Sequence, residues 1–222
     1  MLKFSREPMA TVEAEFDTLI VAGWTGHNTE ALNQHIEELA ALGVPRPSTT
    51  PIFYRTSVNG LTQATRLDVL GPHTSGEVEP VLVGMQDGVW LGIGSDHTDR
   101  KAESMGIALS KQLCGKVIGT ALWPLADITH WDELIIRSWA TIDGKRQLYQ
   151  EGKLASLRTP ANLLQRYDGS TTLRRGAVMF CGTVAAIGGI RPASRFEIEL
   201  EDPIRSQRLA HAYDIVVLPE IR

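Results

Sequence analysis

The sequence predicts an α+β chain that is mostly β, with a few short helices. Three observations carry this. Two apolar runs, VLVGMQ (81–86) and VWLGIG (89–94), flank Asp87-Gly88, and LIIRSWATI (134–142) runs into Asp143-Gly144. Asp-Gly between apolar runs is a strong hairpin signal, because the tight turn it favours needs positive φ. FEIELED (196–202) alternates apolar and acidic residues, as a half-exposed strand does. No strand–GxGxxG–helix unit is present, which argues against a nucleotide-binding fold.

The elements follow in order. FDTLIVAG (16–23) reads as a buried strand. NTEALNQHIEELAALG (28–43) reads as a helix: Leu32, Ile36, Leu39 and Leu42 share one stripe, Asn28 or Thr29 caps the start and Gly43 ends it. VPRPSTTP (44–51) is a stiff connector. After it, short strands dominate. TPANLLQRY (159–167) reads as a short helix with Pro160 in its first turn. AVMFCGTVAAIGG (177–189) is a strand entering a glycine-rich turn.

The chain has 222 residues, 43% hydrophobic and 22% charged, the composition of an ordinary globular protein. It reads as a single domain over 1–222, with residues 1–15 a candidate N-terminal extension. A net charge of −4 gives no basic footprint for nucleic acid or anionic membranes. No apolar run approaches the roughly 20 residues of a membrane span, and the N-terminus is too polar for a signal peptide. Cys114 and Cys181 form no metal or nucleophile motif, which fits a cytoplasmic setting.

The stretch SGEVEPVL (75–82) places Glu77 and Glu79 two apart, hence on one face of a strand. A surface strand end would tolerate such a pair. The hairpin adds a third carboxylate. With residue 86 facing residue 89, Glu79 is expected to face Asp96, about 5 Å away. Three converging carboxylates repel unless a cation lies between them, and oxygen ligands favour Mg²⁺ or Mn²⁺ over zinc. A surface acidic cluster is the alternative. His97 follows Asp96 and should point to the opposite face, so it is not expected to be a ligand.

These residues resemble the fumarylacetoacetate hydrolase family, in its C-terminal catalytic domain. Glu77-Val78-Glu79 is similar to that family's E-x-E. Asp96-His97-Thr98-Asp99-Arg100 is similar to its D-x-x-x-R, and Lys116 in GKVIGTALWPL to its following lysine segment. Gly26-His27-Asn28, then His35 and Glu38, resembles its G-R-N-Y-x-x-H-x-x-E segment, with three extra residues before the histidine. GAVMFCGTVAAIGG resembles its glycine-rich segment, with Thr183 at the second threonine and Val184 in place of proline. QEGKLASLRTPANLL faintly resembles the Q-x-G-x-T segment. The match runs in order from about residue 20 to about residue 217.

The resemblance implies a twisted mixed β-sandwich or roll and a homodimer. It implies metal-dependent chemistry on small oxo-acids or diketo compounds through an enolate: C–C hydrolysis first, with hydration, decarboxylation or tautomerisation on the same scaffold as alternatives. Glu77, Glu79 and Asp96 would hold Mg²⁺ or Mn²⁺. Lys116 would place positive charge near the reacting carbonyl. His35 and Glu38, i and i+3 on a helix, would activate water, with His27 competing for the histidine's role. Arg100 would hold Asp96 or a substrate carboxylate, and Thr183 would donate to a substrate carboxylate. A non-catalytic metal-binding β-domain is the reading from another class.

Overall fold

The computed structural model describes residues 1–222 apart from 7–8, 31–32, 34–35, 38–45 and 222. It is mostly strand, with few helices. The strands are β1 Leu2–Arg6, β2 Met9–Ala14, β3 Thr18–Gly23, β4 Ile52–Thr56, β5 Leu61–Thr62, β6 Arg66–Leu70, β7 Thr74–Ser75, β8 Val78–Met85 and β9 Gly88–Asp96. They continue as β10 Thr98–Asp99, β11 Lys116–Ile118, β12 Ala121–Pro124, β13 Ile135–Ile142, β14 Lys145–Lys153, β15 Ala177–Phe180, β16 Arg195–Asp202 and β17 Gln207–Leu218. Helices α1 (Ile107–Gln112) and α2 (Pro160–Asp168) join them. Residues 29–30, 33 and 36–37, on the expected 28–43 helix, are also helical.

A large sheet runs β2-β1-β12-β9-β8-β15-β3-β4, with β11 bridging β9 and β5. A second sheet runs β14-β13-β16-β17-β6. Residues 1–15 supply β1 and β2. Phe4 is fully buried, and β1 pairs in parallel with β12.

All eight residues of β8 are buried, because the large sheet is covered on both faces. Val78 and Leu82 join Leu91, Ile93, Ile136 and Phe196 in a core shared with the second sheet. Val81, Val83 and Met85 join Phe4, Trp90, Ile118 and Phe180 in another core. A strand buried on both faces reads as a continuous apolar run rather than as alternation. β16 is covered on one face only and keeps its alternation along its whole length.

Helix α2 forms where its signals predict. The Thr159 side chain accepts from Asn162 N–H at 3.3 Å, Pro160 opens the first turn, and Gly169 closes the helix at φ 77°. The β13–β14 turn uses Asp143 and Gly144, at φ 50° and 74°, and pairs Ile142 with Lys145. The β8–β9 hairpin differs from expectation. Its turn is Gln86-Asp87, Gly88 is the first residue of β9, and Met85 pairs with Gly88. Side chains from β1 and from β9 itself hold the tip. Asp87 is held from the side by Arg6 Nη1, and by Trp90 Nε1 at 3.1 Å. The Arg6 guanidinium also lies 4.6 Å over the Trp90 ring.

Candidate metal centre

In the observed register Glu79 faces Gly94, not Asp96. Asp96 is instead opposite Glu77, whose carbonyl accepts the Asp96 N–H at 2.9 Å. The slip is two residues, and two is the side-chain period of a strand. Every side chain therefore keeps its face. Glu77 and Glu79 still share the face of Val81 and Val83, and Asp96 still shares the face of Trp90. Carboxylate oxygens of Glu77, Glu79 and Asp96 lie within 4.8 Å of one another. The centre sits where β8 begins and β9 ends, at one end of the core that Phe180 and Ile118 line.

Glu79 is 2% exposed and Asp96 is fully buried. Gly182 N–H donates to Glu79 Oε2 at 2.7 Å. That approach needs glycine. Gly182 has φ 95°, and a Cβ there would lie 1.8 Å from Thr25 Oγ1. Gly94 opposite Glu79 also has no room for a side chain, since its Cβ would lie 2.6 Å from the Phe180 ring.

Lys116 faces Asp96 across the β9–β11 pair. Its Nζ lies 2.9 Å from Asp96 Oδ1 as an ion pair, while its directed hydrogen bond goes to the His97 carbonyl. Asp96 Oδ1 accordingly accepts no directed hydrogen bond from the described residues. Lys111, on α1, was not singled out in the sequence. Its Nζ donates to Asp96 Oδ2 and lies 3.6 Å from Glu77 Oε2. Arg100 sits on Glu77 Oε1 at 3.0 Å, on Glu103 Oε1 at 2.9 Å and on Ser75 Oγ at 2.7 Å. It thus holds Glu77, where Asp96 was one expected partner. Arg100 also lines a cleft of about 300 Å³ with His73, Thr74 and Ile190, to which none of the three carboxylates contributes.

The Thr183 hydroxyl donates to the Val78 carbonyl at 2.7 Å and accepts from Gln150 Nε2 at 2.8 Å. Gln150 Oε1 in turn accepts from Val78 N–H at 3.0 Å and from Ser138 Oγ at 2.9 Å. Gln150 and Thr183 therefore clamp the residue between the two glutamates. The Q-x-G likeness around 150–152 was the only sequence signal for Gln150. His35 and Glu38 lie outside the described residues. His27 is exposed, with its backbone N–H on the Ser156 carbonyl at 2.8 Å.

Burial first, then the charges of Asp96 and Glu77, pushes the Glu79 carboxyl well above the usual carboxylate range. Burial also acts on Asp96, but the ammonium groups of Lys111 and Lys116 outweigh it and hold its carboxyl at about 2. One centre thus contains one carboxyl that favours its proton and one that does not. His97 points to the opposite face, between Tyr213 Oη and Thr74 Oγ1, each at 2.9 Å. Burial, with Lys116 and Arg100 nearby, holds it neutral down to about pH 3. Both cysteines are free and buried, and burial pushes the Cys114 thiol up to about 11, against a nucleophilic role.

A family described as "Protein of unknown function (DUF2848)" matches residues 22–213. The chain belongs to the DUF2848 family. No curated protein matches the sequence. Among solved structures, Cg1458 with inhibitor is similar at 19% identity and TM-score 0.63, covering 93% of this chain and 78% of that one. 2-Keto-3-deoxy-D-arabinonate dehydratase complexed with magnesium and 2,5-dioxopentanoate is similar at 15% identity and TM-score 0.65, covering 93% of this chain and 75% of that one. At these identities the likeness establishes the shared fold. No described helix is long and apolar enough to cross a membrane.

Proposed function

We propose that this DUF2848 chain is a divalent-metal-dependent enzyme acting on a small oxo-acid or diketo compound, with hydrolysis of a C–C or related acyl bond as the leading reaction. The observation that carries this is the convergence of Glu77, Glu79 and Asp96 within 4.8 Å at a buried strand end. The donor set fits Mg²⁺ or Mn²⁺: three carboxylates, all oxygen donors, with Asp96 Oδ1 in an ion pair with Lys116 and without a directed hydrogen bond from the described residues. A dication held there would supply Lewis acidity to a substrate that chelates through two oxygens.

The chain's own residues supply the rest. Lys116, buried and tied to the His97 carbonyl, places a fixed positive charge beside the centre, where negative charge develops on the substrate oxygen. Gly182 and the Gln150–Thr183 clamp fix the two glutamates. Arg100 fixes Glu77 and reaches the edge of the adjoining cleft, where a substrate carboxylate would meet it. The Thr183 hydroxyl is committed to the Val78 carbonyl, so its backbone N–H is the donor that this reading assigns to a substrate carboxylate. His35 and Glu38 are its water-activating pair.

The solved dehydratase of the same fold, complexed with magnesium, favours a second reading, hydration or dehydration on the same centre. The two readings separate on the water-activating base. Loss of turnover in His35→Ala and Glu38→Ala is expected for the hydrolase, and turnover that survives both changes removes that assignment. The first experiment is calorimetric titration of Mg²⁺ and Mn²⁺ into wild type and Glu79→Ala. Binding that Glu79→Ala abolishes is expected. No binding in wild type would leave a non-catalytic β-domain as the reading. The proposal includes a homodimer, checked by light scattering on the eluting peak.

A further inference from the structure

The carboxylate centre already contains cations. Lys111 and Lys116 meet Asp96, and Lys111 and Arg100 meet Glu77, while Arg100 is shared with Glu103. The three cations occupy different places. Arg100 approaches Glu77 from the side, between Ser75 and Glu103. Lys116 is anchored through the His97 carbonyl. Among the described residues, Lys111 alone reaches between two of the three candidate ligand carboxylates, with its Nζ on Asp96 Oδ2 and 3.6 Å from Glu77 Oε2.

We propose that Lys111 is a tethered internal cation that holds the metal position in the metal-free protein and competes with the incoming dication. The proposal rests on the metal reading above. A lysine ammonium is a compact point charge on a flexible four-carbon stem. It neutralises the carboxylates when no ion is present, and it can turn away without moving the backbone. A dication close enough to bind Asp96 and Glu77 would sit a few ångströms from Nζ, where like charges in a buried site repel strongly. Metal entry therefore includes the departure of Lys111.

Lys111 also differs from its neighbours in origin. It comes from α1, a six-residue helix between Gly106 and Gly115, whereas Lys116 and the carboxylates belong to paired strands or their ends. The inner side of α1 carries Ser110 and Lys111, both buried, while Leu109 and Leu113 are exposed. Gln112 Oε1 accepts from Ser57 N–H at 2.8 Å. The competing charge is thus carried by a helix packed against the sheet rather than by a paired strand.

The test is calorimetric titration of Mn²⁺ into wild type, Lys111→Met, which keeps length and loses charge, and Lys111→Gln, which keeps a polar head if the first variant does not fold. The expected result is binding at least about tenfold tighter in the variant. A larger rise in Tm on adding Mn²⁺ than wild type shows should accompany it. Equal or weaker binding in the variants overturns the competition and leaves the metal reading standing. No Mn²⁺ binding in wild type or either variant overturns both. The two failures are thereby told apart without any activity assay.

Discussion

Two hairpins in this molecule carry the same Asp-Gly signal and obey it differently. In β13–β14, Asp143 and Gly144 take the two positive-φ turn positions, and Ile142 faces Lys145. In β8–β9, the turn moves back one residue and Gly88 enters the strand. The first turn projects into open space, where a Cβ on Gly144 would meet nothing within 4 Å. There, local φ preference decides. The second tip is fastened by Arg6, Asp87 and Trp90, and its strands are covered on both faces. There, side-chain contacts decide, one from β1 and one from within β9. Turn chemistry sets register only where nothing stronger competes.

Substitutions that add one methyl group to each hairpin should expose this difference. Gly94→Ala, in the buried hairpin, drives a Cβ to 2.6 Å from Phe180 and 2.8 Å from the Val117 carbonyl. A loss of about 3 kcal/mol is expected from overpacking, read as a lower urea midpoint at unchanged m. Glu79 faces Gly94, so Mn²⁺ affinity should fall as well. A near-neutral Gly94→Ala would break the view that β8–β9 is held by packing.

A third turn, between β16 and β17, depends on a buried charge. Asp202 accepts from Ile204 N–H at 3.0 Å, Arg205 N–H at 2.9 Å and His130 Nε2 at 2.8 Å. Burial would raise its carboxyl, but the Arg205 N–H and His130 outweigh it and hold it below the usual range. A carboxyl with a folded value below its unfolded one stabilises fully above about pH 4, and loses that contribution as pH falls through the folded value. Asp202→Asn should cost about 2 kcal/mol at pH 7, and the gap to wild type should narrow at pH 3. Urea midpoints at the two pH values measure both. A gap that widens on acidification would contradict the assignment.

Gly144→Ala should give the smallest effect, about 1 kcal/mol, because only the left-handed backbone at φ 74° resists the methyl group. Thermal melts of Gly144→Ala and Gly94→Ala side by side test the ordering. If Gly144→Ala is the more damaging, the contrast between the hairpins fails.

The carboxylate centre was legible because it depends on parity rather than on register. The hairpin register expected from Asp87-Gly88 was off by two, yet Glu77, Glu79 and Asp96 still converge, since a two-residue slip leaves every side chain on its face. The same parity kept His97 off the centre. Lys111 was not legible. Nothing in IALSKQLCG marks one helical lysine as inward-facing; only the packing of α1 against the sheet does so. Gln150 had only the faint Q-x-G likeness, because its amide meets Val78 and Thr183 across long sequence separations.

The sequence by itself determined what is periodic or local: the strand-rich class, the capped helix α2, the Asp143-Gly144 turn and the shared face of the carboxylates. Tertiary structure alone decided the β8–β9 register, the approach of Lys111 to the acidic centre and the missing Cβ atoms that let Gly182 reach Glu79 and Gly94 fit beside Phe180. The physical reason is range. Alternation and turn preference act between neighbours in the chain, whereas an ammonium reaching a buried carboxylate, or a missing Cβ making room for one, depends on segments that only folding brings together.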